Sequence, residues 1–257
     1  MSFVTKVAPK MCNPIRDLAR HLSRPGKPHW EALGRAIGYM KQMDLKGIVL
    51  RKPVELRNIS LIDSDFAKDP ITRRSVGGEL HTIGGCLTAF SSKGEKSISN
   101  STAEAEYKSL SNGGREVKFQ QMLLEEIAFV HTPGILFEDN EGCAFLTKNK
   151  QVSSRTKHID IAIHSIREFC SRDVEGITRG AVMWISSEEN TLDICTKNLD
   201  VATFKYHEEE IDNGFLRLRQ KIFDPDTVKK LGDQKLLGGM LSNKNVTKNN
   251  GIESGNG

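Results

Sequence analysis

Paired cysteines are missing from this 257-residue chain. Its five cysteines, Cys12, Cys86, Cys143, Cys170 and Cys195, are odd in number, and no two stand in Cys-x-x-Cys spacing. That pattern argues against a disulfide framework or a cysteine-held zinc and fits a reducing compartment. Long hydrophobic runs are missing too. No stretch of ~18 apolar residues occurs, so nothing reads as a membrane span. The N-terminal MSFVTKVAPKMC has no apolar h-region, so it does not read as a secretory signal, and an intracellular location is expected. Aromatic residues are scarce, at 6%, but 37% hydrophobic residues still allow a core of ordinary size. No internal repeat is visible, which excludes solenoid and propeller arrays.

What is present is unevenly charged. The net charge of +4 conceals a segment, 1–57, at +8 and a segment, 58–200, at −5. A basic stretch beside an acidic domain suits a nucleic-acid enzyme, the first holding phosphates and the second holding metal ions. The plainer reading is an unevenly charged solvated surface.

Hydrophobic periodicity divides the chain further. Residues 14–25 read as a short basic helix with Ile15, Leu18, Ala19 and Leu22 on one face. A second helical pattern opens at His29 and puts Trp30, Leu33, Ala36, Ile37 and Met40 on one face. Lys46-Gly47 ends it, and Ile48–Leu50 is a strand candidate. From residue 58 the pattern shifts to strands: Ile59–Asp63, Gly77–Thr82 and Cys86–Phe90, the last two joined by a Gly84-Gly85 turn. Ser101 and Glu104 suggest a capping box for a helix to about Ile127. Gly113-Gly114 within it predicts a break or a close contact. Then follow a strand at 135–139, helices at 141–148 and 157–171, a strand at 182–185, and helices at 190–199 and 201–213. This order predicts an α/β (α+β) domain with a mixed sheet. Residues 225–257, rich in Lys, Gly and Asn, read as a flexible tail.

Two of the strands end in acid, Asp63 and Asp139. Glu106 lies one turn inside the long helix, and Asp193 near the start of a helix after the last strand. Sites in open α/β sheets form beyond the carboxyl ends of the strands, so these four acids could meet. Their mutual repulsion would then require cations, and hard oxygen ligands favour Mg²⁺ or Mn²⁺. Taken singly, each is better explained as an ordinary surface acid.

The local sequences carry more. DSDFAKDPITRRSVGG (63–78), STAEAEYKSL (101–110), FEDNEGCAFLTKN (137–149), RTKHIDIAIHSIRE (155–168) and NTLDICTKNL (190–199) resemble, in order and spacing, the blocks of the ribonuclease H region of copia-type retrotransposon Pol polyproteins. RPGKPHWEALGRAIGYMK (24–41) resembles the end of the preceding reverse transcriptase region. The resemblance implies three segments: a basic, helical reverse-transcriptase remnant over 1–57, a ribonuclease H-like domain over 58–215, and a flexible tail over 216–257. It implies Asp63, Glu106, Asp139 and Asp193 as catalytic, metal-holding acids, with two Mg²⁺ (or Mn²⁺) ions. Glu104 is the runner-up to Glu106, with a capping role as its other reading. Asp65 is either a further acid behind the cluster or a solvated strand end.

The implied reaction is hydrolysis of the RNA strand of an RNA–DNA hybrid. Arg73, Arg74, Arg155 and Lys157 are candidate phosphate contacts, and Asn140 a candidate sugar contact or helix cap. The implied partners are the hybrid and the absent polymerase part, with no membrane. The polymerase's Asp-Asp motif does not occur in the sequence, so no polymerase activity is expected. His158 and His164, six residues apart, do not read as ligands of one metal. No histidine occurs in 186–190, where many ribonucleases H carry one. Two other readings remain: a decayed retroelement fragment that binds nucleic acid without cutting it, and a metal-free interaction module.

Overall fold

The computed structural model describes residues 4–43, 48–53, 55–143, 160–171 and 178–223. Three antiparallel strands come first: β1 (Asn58–Asp65), β2 (Val76–Ile83) and β3 (Cys86–Gly94). Gly84 and Gly85 turn the β2–β3 hairpin at φ +58° and +82°. A two-residue turn with both φ values positive matches the strand twist, and glycine reaches it without strain. β4 (Gly134–Glu138) and β5 (Gly180–Trp184) then add parallel to β1, giving the order β3-β2-β1-β4-β5. β1 is therefore central, and the carboxyl ends of β1, β4 and β5 share one rim.

Alternation along the strands builds two core layers. Ile62, Leu136 and Val182 face α4 (Thr102–Ala128) and α5 (Asp160–Cys170), where Leu110, Val117, Ile166 and Phe169 close the layer. Ile59, Leu61, Ile135 and Phe137 face the other side, covered by α6 (Asp193–Thr196), α7 (Val201–Asp212) and α8 (Leu216–Phe223). Each fully buried aliphatic or aromatic side chain contributes about 1.5–3 kcal/mol.

The long helix α4 starts where the sequence places it. The Ser101 hydroxyl accepts the Glu104 N–H at 3.1 Å, but Glu104 reaches back to the Asn100 N–H, one residue earlier than a standard capping box. Gly113 and Gly114 do not break the helix. They let it lie close on the sheet: a Cβ at Gly113 would meet Ile62 Cδ1 at 2.3 Å, and one at Gly114 would meet Ile166 Cδ1 at 3.2 Å.

Ahead of the sheet lie α1 (Val4–Val7), a 3₁₀ turn at Pro9–Met11, α2 (Cys12–Ala19) and α3 (Lys27–Gln42). The first basic helix thus begins and ends earlier than expected. Trp30 and Ile37 of α3, expected on a packed face, are 64% and 41% exposed, whereas Ala36 is buried against Met11 and Ile15. Residues 48–50 form no strand; Ile48 packs on the core from an irregular segment that joins none of the five strands. β3 runs on to Gly94, beyond the strand end expected at Phe90. Residues 216–223, placed in the tail from sequence, form α8, with Leu218 in the core. Residues 224–257, most of the expected 141–148 helix, and Arg155, Lys157 and His158 lie outside the described residues.

Several cations of the basic N-terminal segment are used internally. Lys10 is buried and bonded to Asp212 at 2.8 Å and Glu208 at 3.1 Å, on α7. Arg16 donates to Ser92 Oγ at 2.6 Å and to the Cys195 carbonyl at 3.2 Å. Arg57 pairs with Glu55. Less of the +8 segment is free for phosphates than its charge suggests.

Candidate metal centre

β1 carries Asp63 into the rim with 1% exposure, and Asp139 follows the last residue of β4. Glu106 enters from the first turns of α4. One oxygen from each of Asp63, Glu106 and Asp139 lies within 4.8 Å of the others. Asp193, at the start of α6, stands beside this trio and is joined to it through Lys197. The four acids expected from sequence therefore lie in one neighbourhood, three of them in the tightest group. Glu104 is not in that group; it caps α4 and pairs with Lys108 at 2.8 Å. Asp65 is paired with Lys68 at 2.7 Å.

α6 reaches the rim because β2 has no side chain there. Gly78 pairs with Asp63 across the β1–β2 ladder, and a Cβ on it would meet Thr196 Cγ2 at 2.4 Å. With that space open, the single turn 193–196 sits over β2, closed by the Lys197 N–H donating to the Asp193 carbonyl at 2.8 Å. The Thr196 hydroxyl donates to Asp63 Oδ2 at 2.5 Å. Lys197 Nζ lies 2.7 Å from Asp193 Oδ1, 3.1 Å from Asp63 Oδ1 and 3.8 Å from Asp139 Oδ2. Sequence reasoning missed both Thr196 and Lys197. The signal was there: they stand three and four residues after Asp193, the spacing that shares a helix face.

A fifth acid was also missed. Glu138, fully buried at the end of β4, neighbours Glu106, and its Oε1 accepts the Asn140 N–H at 3.2 Å. Glu106 Oε2 and Glu138 Oε2 are buried with no hydrogen-bond donor. A proton shared between the two carboxyls, or a cation, is what these oxygens call for. Burial, then Asp63 and Asp139, pushes the Glu106 carboxyl up to about 9. Burial and Glu106 likewise raise Glu138. Burial and then Asp63 push Asp193 up to about 7. Burial also raises Asp63, against the pull of Lys197 and Thr196. Crowded carboxyls whose hold on the proton is strengthened in this way are what a divalent cation would ionise and organise, and an all-oxygen set fits Mg²⁺ or Mn²⁺.

The remaining candidates lie around this rim. Arg73 and Arg74 are exposed in the β1–β2 connection, at the same end of the sheet, in a turn tied by Asp69 Oδ1 to the N–H groups of Ile71 and Thr72. Asn140 Oδ1 accepts the Cys143 N–H at 3.2 Å and so caps the turn at 141–143. His164 is exposed and pairs with Asp160 at 3.3 Å. One turn beyond Glu106, a cleft of about 700 Å³ opens between the ends of β2 and β3 and α4, with Lys93, Lys96, Lys108 and Arg115 in its lining.

No family model matches the chain. It is 32% identical over 191 residues to the retrovirus-related Pol polyprotein from transposon TNT 1-94 of Nicotiana tabacum, and 28% identical over 212 residues to that from transposon RE2 of Arabidopsis thaliana. These matches cover 74% and 82% of this chain but only 14% of each relative, so the chain spans a small part of their length. Among solved structures, ribonuclease H1 from Halobacterium salinarum is similar over 53% of this chain and 90% of its own, at 12% identity and a TM-score of 0.39. No helix among the described residues is long and apolar enough to cross a membrane. The chain is thus similar in sequence to part of the copia-type retrovirus-related Pol polyproteins, and it folds as a mixed five-stranded α/β sheet.

Proposed function

We propose that the chain is a metal-dependent ribonuclease that hydrolyses the RNA strand of an RNA–DNA hybrid. The observation that carries this reading is the convergence of Asp63, Glu106 and Asp139 from three elements, with a buried Glu106 oxygen lacking any donor. Asp63, Glu106, Asp139 and Asp193 would hold two Mg²⁺ or Mn²⁺ ions. Bound there, such ions supply an activated water and charge stabilisation at the leaving 3′ oxygen. The chain's own residues do the rest. Thr196 fixes the orientation of Asp63, Gly78 leaves room for α6, and Lys197 neutralises part of the acidic charge.

Arg73 and Arg74 would contact a hybrid's phosphates, and the cleft beside α4, lined by Lys93, Lys96, Lys108 and Arg115 together with Glu79 and Glu95, would continue that path. Arg155 and Lys157 complete the proposed phosphate contacts, and Asn140 the sugar contact. Residues 1–57 are read as the end of a reverse transcriptase region set against a nuclease domain over 58–215, and 216–257 as a following tail whose first part is α8. No polymerase activity accompanies it, and the chain works inside the cell, with the polymerase part as a further partner.

The test is a hybrid labelled separately on each strand and incubated with the folded chain and Mg²⁺ or Mn²⁺. Cutting of the RNA strand alone is expected. A chain that binds the hybrid and cuts neither strand would favour the non-catalytic, nucleic-acid-binding reading.

A further inference from the structure

The geometry points to Lys197 as a resident cation that holds the second metal position, so that metal ions enter the site one at a time. This inference rests on the carboxylate cluster being a metal site. The acids divide into two sides. On one, Asp63, Glu106 and Asp139 each offer an oxygen within 4.8 Å of the others. On the other, the Lys197 ammonium bridges Asp63 Oδ1 at 3.1 Å and Asp193 Oδ1 at 2.7 Å. An ammonium at that point occupies the space and satisfies the charge that a divalent ion between Asp63 and Asp193 would need.

The ammonium is placed by the fold. Its backbone N–H closes the turn of α6 onto the Asp193 carbonyl at 2.8 Å, and its neighbour Thr196 is pinned to Asp63 Oδ2 at 2.5 Å. Gly78 admits this turn over β2, where any Cβ would strike Thr196. The side chain is still 31% exposed, so it has a way out.

Two consequences follow. A first ion would be held by Asp63, Glu106 and Asp139 with Lys197 in place, because the ammonium sits closer to Asp193, at 2.7 Å, than to Asp139, at 3.8 Å. A second ion binds only when the ammonium swings outward, and it binds weakly until something else, such as a hybrid phosphate, draws Lys197 away. Lys197 is therefore a positioning residue that sets the order of metal loading.

The test counts Mn²⁺ bound to the full chain, by calorimetry and by electron paramagnetic resonance of the free ion, with no substrate present. Wild type is expected to bind one Mn²⁺, with a second at least about tenfold weaker. Lys197→Gln should bring the two affinities together, and Lys197→Arg should restore the gap. A second measurement needs no variant: amine labelling of Lys197, read by mass spectrometry, should stay low through the first equivalent of Mn²⁺ and rise with the second. Two equal ions in wild type, or labelling indifferent to the second ion, would overturn the inference and leave the metal reading standing. Mn²⁺ bound by neither wild type nor Lys197→Gln would overturn both.

Discussion

The Thr196 hydroxyl donates to Asp63 Oδ2 at 2.5 Å, and Asp63 is 1% exposed. A buried carboxylate oxygen is thus held by a residue 133 positions away in sequence. Thr196→Val keeps the volume and removes the donor. It should cost about 1–3 kcal/mol, the usual penalty for stranding a buried acceptor. Urea denaturation measures this, and Thr196→Ser should recover most of the loss. A midpoint unchanged in Thr196→Val would show that this hydrogen bond contributes nothing.

Gly113 is a packing residue, not a helix breaker. A Cβ there would overlap Ile62 Cδ1 at 2.3 Å, so Gly113→Ala should destabilise by about 1–3 kcal/mol in spite of alanine's better helix propensity. Gly34 of α3 has nothing within 4 Å, so Gly34→Ala should stabilise by roughly 0.5–1 kcal/mol. Thermal melts of the two variants should move in opposite directions.

Much of the fold was readable in the chain, for physical reasons. Alternation in Ile59–Asp63 and the glycine pair at 84–85 specify a strand and a tight turn by local rules. The 3.6-residue pattern of α4 survives two glycines. What local rules could not give was the consequence of packing. Trp30 and Ile37 look like a buried face, but nothing among the described residues covers them. Ile48–Leu50 looks like a strand, but it joins none of the five strands. Leu218 falls in the tail expected over 216–257, yet it enters the core.

The candidate site divides the same way. Asp63, Glu106, Asp139 and Asp193 could be named because they sit in recognisable blocks. Lys197 and Thr196 lie in the same block as Asp193, but their role depends on α6 folding over Gly78. Glu138 matters only because α4 brings Glu106 beside it.

The metal-free chain should lose stability as pH rises. Burial, with Asp63 and Asp139 behind it, raises Glu106 to about 9, and burial with Asp63 raises Asp193 to about 7. In the unfolded chain both titrate near ~4, so above that pH the native state binds more protons than the unfolded state. The stability they contribute is complete below the unfolded value and is lost as pH passes through about 7 and then about 9. Differential scanning calorimetry without metal should therefore show a midpoint that falls from about pH 4 to about pH 9, an interval set by these shifts. Mn²⁺ competes with protons for the same oxygens, so its stabilising effect should grow over that interval. A metal-free midpoint that rises with pH would contradict this picture of the cluster.

Arg73 and Arg74 should act through phosphates. Each arginine that neutralises one phosphate contributes about one unit to the salt dependence of binding. Replacing either with alanine should reduce the slope of log affinity against log salt by about 1 and weaken binding to hybrids of any sequence alike. Fluorescence anisotropy over a salt series measures it. An unchanged slope in the double variant would remove this pair from the interface.

The most direct measurement compares wild type with Asp139→Asn in cleaving an RNA–DNA hybrid, with Mg²⁺ or Mn²⁺ and with a chelator. Asparagine keeps the shape of this side chain and removes its charge from the trio of Asp63, Glu106 and Asp139. Cutting of the RNA strand that needs the metal and falls by about 10²-fold or more in the folded variant is the expected result. Cutting that survives the chelator, or that Asp139→Asn leaves intact, would contradict the account.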